Sequence, residues 1–169
     1  IILEYCSIAL ENLSQQDPLW FSWGWYVVGK AELANSHLFE STEAFKKALE
    51  FGKKSGNIYL ITSIAINLGF NEGRLGHYKI SYKRSVDVLQ FLQDNGYGNL
   101  VKIDWTFAVL YANMAAIQYF WADLEGASEN IKIAYGLCIK EADITSKVLS
   151  LVVYSVILQG QGDHLGAEV

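Results

Sequence analysis

Three histidines, His37, His77 and His164, are the side chains of this sequence best suited to holding a metal, and each stands in a short polar turn. A zinc site needs three or four ligands converging on one point. Residues roughly 40 or more positions apart in successive turns do not converge, so the spacing predicts exposed turn residues and no metal. Acid–base chemistry has no better footing. Glu40-Ser41-Thr42-Glu43 reads as the acidic opening of a helix, where carboxylates offset the positive end of the helix dipole. Gly52-Lys53-Lys54-Ser55-Gly56 has a superficial likeness to a phosphate loop, but it lacks the GxxxxGK[ST] spacing and closes a helix instead of opening one. The sequence holds no nucleophile elbow, no HExxH and no Asp-rich motif. An α/α-toroid enzyme would need clustered carboxylates in an aromatic cleft. The expectation is a binding protein, not an enzyme.

Composition narrows the binding classes. A net charge of −5 leaves no basic face for a phosphate backbone, so direct nucleic-acid contact is not expected. Cys6 and Cys138 are far apart and lie in apolar helical patterns, which predicts buried, reduced thiols. With no cationic leader and cleavage site, the expected setting is cytoplasmic. Trp105 to Ala122 is 18 residues without a charge, the lower limit for a membrane span. Asn113 and Gln118 interrupt it and Asp104 and Asp123 flank it, so a buried helix is expected and no membrane.

The elements that would position any site are helices. Pro18 is the one proline, which suits long uninterrupted helices. Asp17-Pro18 is a strong helix start, an Asp N-cap followed by Pro at the first helical position. Apolar stretches end in small-residue turns, and aligning Ser36, Gly73, Ala122 and Gly162 gives intervals of 37, 49 and 40 residues. Periods of that size mark arrays of helical hairpins. In each pair the first helix is apolar and the second amphipathic, as when first helices are sandwiched between neighbours. Gly56-Asn57 reads as a left-handed C-cap, and Asn95-Gly96-Tyr97-Gly98-Asn99 as a break within the long second interval. The expected organisation is one domain over 1–169, with units 1–16 (partial), 17–56, 57–99, 100–143 and 144–169 (partial). Ile1-Ile2-Leu3 starts inside a helical pattern and Ala167-Glu168-Val169 opens a new one, so a fragment of a longer protein is expected.

The pattern resembles the tetratricopeptide repeat. That repeat places a large residue, a Leu-Gly pair, a small residue after the turn, an aromatic and an alanine at fixed offsets. The first unit offers Trp25, Val28-Gly29, Ser41, Phe45 and Ala48. The second, anchored on Gly73, offers Thr62, Ala65-Ile66, Tyr78, Tyr82 and Ser85, where bulky Tyr78 breaks the small-residue rule. The third offers Tyr111, Met114-Ala115, Ala127, Ile131 and Ala134. The implied fold is all-α, a right-handed superhelix of stacked antiparallel helix pairs (a tetratricopeptide-like α-solenoid).

Segments such as Tyr119-Phe120-Trp121-Ala122-Asp123-Leu124-Glu125-Gly126-Ala127 and Glu72-Gly73-Arg74-Leu75 are similar to the superhelical sensor region of the maltose-regulon activator family, large ATP-binding LuxR-type transcription regulators. So is the opening Ile8-Ala9-Leu10-Glu11-Asn12-Leu13-Ser14 followed by Asp17-Pro18-Leu19. The resemblance implies an effector- or partner-binding sensor segment. ATP would bind in an N-terminal domain outside this sequence, and no cofactor would bind in the segment itself. The concave wall of tetratricopeptide arrays corresponds here to Trp23, Tyr26 and Lys30, then Ser63, Asn67 and Phe70, then Ala112 and Tyr119, then Gln159. Of these, Trp23, Tyr26, Lys30, Asn67, Phe70, Tyr119 and Gln159 are the candidate contacts for a small-molecule inducer or a protein partner. An aromatic-and-amide surface of that kind suits stacking on a sugar ring or gripping an extended peptide. A scaffold that binds only proteins is the alternative.

Overall fold

A computed structural model describes residues 2–13, 17–101, 104–141, 144–163 and 166–168. Among them there is no strand, and the chain is all-α. Helix α1 is Ile2–Asn12, α2 Pro18–Ala34, α3 Leu38–Ser55, α4 Ile58–Arg74 and α5 Tyr78–Leu92. After a π-helical turn at Gln93–Tyr97 come α6 (Gly98–Val101), a 3-10 turn at Trp105–Phe107, α7 (Ala108–Phe120), α8 (Leu124–Glu141) and α9 (Ile144–Gly160). The chain forms two compact units, Ile1–Ser81 and Tyr82–Val169.

Asp17 caps α2 as expected: its carboxylate accepts from the Trp20 amide at 3.4 Å, with Pro18 in the first turn. Asn57 caps α4 in the same way, accepting from the Leu60 amide at 3.0 Å. Gly56 adopts φ 69° and ends α3, matching the expected left-handed cap.

The turns between paired helices share one geometry. Ser36, Gly76, Ala122 and Gly162 all have positive φ, at 64°, 78°, 60° and 82°. Each time the next amide donates to a carbonyl five residues back, from His37 to Glu32, His77 to Glu72, Asp123 to Gln118 and Asp163 to Leu158, at 2.8–3.0 Å. The amide of the left-handed residue itself bonds three residues back. This is the Schellman arrangement, which satisfies carbonyls that a helix end leaves unpaired. The repeat anchor in the second hairpin is therefore Gly76, not Gly73, and the intervals become 40, 46 and 40 residues. Gly73 sits inside α4. The longer middle interval holds the break near Gly96 (φ 89°) and the added helix α6.

Moving the anchor three residues removes the anomaly at Tyr78. The small residue after the second turn is Ser81, fully buried, whereas Tyr78 is 43% exposed. Its partner is Gly69, and Ser81 Oγ donates to the Gly69 carbonyl at 2.9 Å. Ser41 Oγ donates to the Gly29 carbonyl at 2.8 Å in the first hairpin. A buried hydroxyl thus spends its donor on the neighbouring backbone and brings two helices close.

In the first unit, Ser22 Oγ to the Ala48 carbonyl (2.8 Å) and Ser41 to Gly29 fix α2 and α3 as antiparallel. Phe45 fills the space between them; a Cβ on Gly29 would lie 2.5 Å from its ring. Helix α4 packs on α3, with Asn71 Nδ2 donating to Ser41 Oγ at 2.9 Å. On the outer side of α3, Lys46 and Lys54 are exposed and pair with Glu43 and Glu50 at 2.7 Å, while Lys47 lies 4.1 Å over the Trp25 ring. Lys53 on the same helix is half-buried.

In the second unit, α7 and α8 pair around buried Leu110, Ala115, Ile131 and Ala134. The run read as a buried helix is resolved into a 3-10 turn and α7, with Phe107, Ala108, Ala112 and Ala115 fully buried but Phe120 exposed. No helix among the described residues is long and apolar enough to cross a membrane. Helix α9 packs on α8 through the Tyr135–Tyr154 ring contact (5.4 Å) and buried Cys138, which faces the Ser150 hydroxyl at 3.5 Å.

Candidate binding surfaces

The first unit holds five of the candidate residues and brings four of them together. Tyr26 and Lys30 lie one turn apart on α2, so they share a face. Asn67 on α4 meets both: Lys30 Nζ donates to Asn67 Oδ1 at 3.3 Å, and Asn67 Nδ2 reaches Tyr26 Oη at 3.5 Å. The same Nδ2 donates to the Ser63 carbonyl at 2.7 Å, fixing the amide's orientation. Trp23 sets its ring edge-on to Tyr26 at 5.6 Å and stays 41% exposed, and Tyr26 in turn packs against Phe45 at 5.7 Å. Phe70, one turn beyond Asn67 on α4, is 43% exposed. Burial raises the Tyr26 pKa above its ordinary value, with the Asn67 hydrogen bond pulling the other way. The phenol therefore stays protonated through the neutral range.

Tyr119 and Gln159 belong to the second unit and are not part of that cluster. Tyr119 packs on Gly160, where an added Cβ would lie 2.7 Å from its ring, and contacts Phe120 at 6.2 Å. It lines an apolar cleft of about 170 Å³ with Phe120, Val152 and Val156. Gln159 is exposed near the end of α9. The sequence reading missed the apolar side of α9, where Val148, Val152 and Val156 recur every four residues and are exposed. Its signal was present as an uninterrupted apolar repeat at helical spacing. Also missed was a groove of about 500 Å³ in the first unit, between Tyr5 and Ala9 of α1 with Leu13 just after it, and Trp20, Trp23 and Val27 of α2.

His37 has a local role. His37 Nδ1 lies 2.8 Å from Glu32 Oε2 across the first turn. His77 stands in the corresponding turn beside Gly76, and His164 lies outside the described residues. The carboxylates of Asp123 and Asp163 cap the helical turns that follow, accepting from Gly126 and Gly166 amides at 3.0 and 2.9 Å. Among the described residues, no three His, Cys, Asp or Glu side chains are placed to hold a metal.

No family model matches the chain, and no curated protein does. Among solved structures, the chain is similar to the crystal structure of BtubC (BKLC) from P. vanneervenii, with a TM-score of 0.76 at 17% identity. The match covers 98% of this chain, which spans 65% of the length of that one. At that identity the likeness shows a common helical fold.

Proposed function

We propose that the chain is a non-catalytic recognition segment, the effector- or partner-binding part of a LuxR-type transcription regulator acting in the cytoplasm. The observation that carries the recognition role is the Trp23–Tyr26–Lys30–Asn67 constellation. Two helices distant in sequence supply an exposed indole, a phenol, an ammonium and an amide already held in place by mutual hydrogen bonds. A site ordered before binding loses less entropy when its ligand arrives. The regulator assignment draws on the family resemblance of the Tyr119–Ala127 and Glu72–Leu75 segments. In that reading, an inducer favours one arrangement of the whole regulator through its different affinity for the alternatives.

A thermal-shift and tryptophan-emission screen against sugars and metabolites tests it. The expected hit raises Tm, and Trp23→Ala or Asn67→Ala removes the shift while leaving the helical circular-dichroism signal intact. A screen in which nothing shifts Tm removes the small-molecule effector. The second reading, a scaffold binding only proteins, is favoured by the exposed apolar side of α9 and by Phe120, which is 71% exposed.

A further inference from the structure

We propose that the face formed by α1 and α2 docks an amphipathic helix of a partner protein, one that carries Lys or Arg beside its apolar stripe. This surface shares Trp23 with the Tyr26–Asn67 cluster but is completed by α1, and it does not depend on the regulator reading.

The groove walls are apolar throughout, and Tyr5 and Trp20 on its two sides are 67% and 58% exposed. Ile8, one turn from Tyr5 on α1, extends the apolar surface outward. Large exposed aromatic side chains around a groove are the usual anchors of a protein interface. Helix α1 has 11 residues, so it offers a trough of about three turns to a helix laid alongside it.

Charge selects the occupant. Glu4 and Glu11 stand one turn either side of Ile8, and Asp17 stands one turn before Trp20 on α2. All three are exposed. No Lys, Arg or His precedes Lys30 in the sequence, so the first 29 residues carry acid alone. Lys30, one turn past Val27, is directed to Asn67 Oδ1. An apolar floor bordered by Glu4, Glu11 and Asp17 complements an apolar helix with cationic flanks. It repels an acidic helix and an anionic lipid surface alike.

The probe is an acetylated, amidated 18-residue Leu/Lys peptide with leucine at helical spacing. Its controls are a scrambled peptide of the same composition and a Leu/Glu analogue. The Leu/Lys helix is expected to shift tryptophan emission to the blue and to bind at least roughly tenfold tighter than either control, with affinity falling as salt rises. Glu4→Lys/Glu11→Lys should weaken it by roughly tenfold and improve binding of the Leu/Glu peptide. Trp20→Ser should weaken it with Tm unchanged, and Phe120→Ser in the other unit should have no effect. Equal binding of the scrambled peptide overturns the proposal, as does indifference to the charge reversals or a loss confined to Phe120→Ser. Sedimentation showing a dimer that Trp20→Ser dissolves would make a second copy the occupant and overturn it too.

Discussion

Ten and six residues before its left-handed turn, α2 carries Tyr26 and Lys30; at the same places α9 carries Val152 and Val156. Helix α4 has Ile66 and Phe70 there, and α7 has Ala112 and Ala116. The backbone device that ends these helices is the same in all four, yet the face it presents changes from polar-aromatic on α2, through Ile66 and Phe70 on α4, to aliphatic in the second unit. The turn thus fixes register, and two or three side chains per helix fix chemistry. Interior size varies with the same independence. Seven residues before and nine after the turn, the first hairpin pairs Gly29 with Phe45, and the third has Ala115 and Ile131, all buried. The second hairpin has Gly69 and Ser85 there, both small and buried, so the exchange of size holds between the first and third hairpins and not in the second.

The largest effects come from breaking that size balance. Phe45→Ala empties the middle of the first hairpin and should cost about 3–5 kcal/mol, read by denaturant unfolding. Gly29→Ala brings a methyl into the Phe45 ring and should cost about 1–3 kcal/mol. Combining Gly29→Ala with Phe45→Ile copies the third hairpin and should recover part of that loss. A double-mutant cycle that is simply additive would show that the two positions do not compensate.

The turn register gives smaller changes with opposite signs. Gly76→Ala puts a side chain at positive φ and should cost about 1 kcal/mol, while Gly73→Ala, inside α4 with open space at its Cβ, should stabilise by about 0.5–1 kcal/mol. Ala122→Gly should stabilise by a similar amount, because alanine now occupies that conformation at a cost. Should Gly73→Ala prove the more damaging of the first two, the second turn would be anchored where the sequence alone suggested.

That three-residue error shows what was legible. The helix start at Asp17, the Gly56 stop and the pairing of apolar with amphipathic helices rest on local chemistry, and local chemistry is written in sequence. The choice between Gly73 and Gly76 is not local. Both are glycines near a helix end, and the positive φ of Gly76, with Ser81 buried against Gly69, decides between them. At the candidate surface, Tyr26, Lys30 and Asn67 all came from the repeat template, and the structure brings the three together. Tyr119 and Gln159 came from the same template but stand in a different unit, one to pack on Gly160 and the other in solvent. The α1–α2 groove went unseen because it needs two helices side by side, and each stripe taken alone reads as core.

The smallest effect compares two phenols. Tyr26 in the first unit and Tyr111 in the second are equally half-buried, and burial raises both pKa values above 10.0. They differ in one respect: Tyr26 has the Asn67 hydrogen bond, which favours its ionised form, and Tyr111 has none identified as shifting it. Asn67→Leu keeps the site dry and removes that bond, so ultraviolet titration should show the Tyr26 transition moving further up while Tyr111 stays in place. The sign for stability follows from linkage. An acid whose folded pKa is raised contributes nothing while both states are protonated. It destabilises once pH climbs past the unfolded value near 10, because the unfolded chain ionises first. Alkaline unfolding should therefore begin at lower pH in Asn67→Leu than in the parent, measured relative to each protein's own stability at pH 7. If the Tyr26 transition instead falls, Asn67 excludes water from the phenol more than it bonds to it, and the two units handle a buried tyrosine alike.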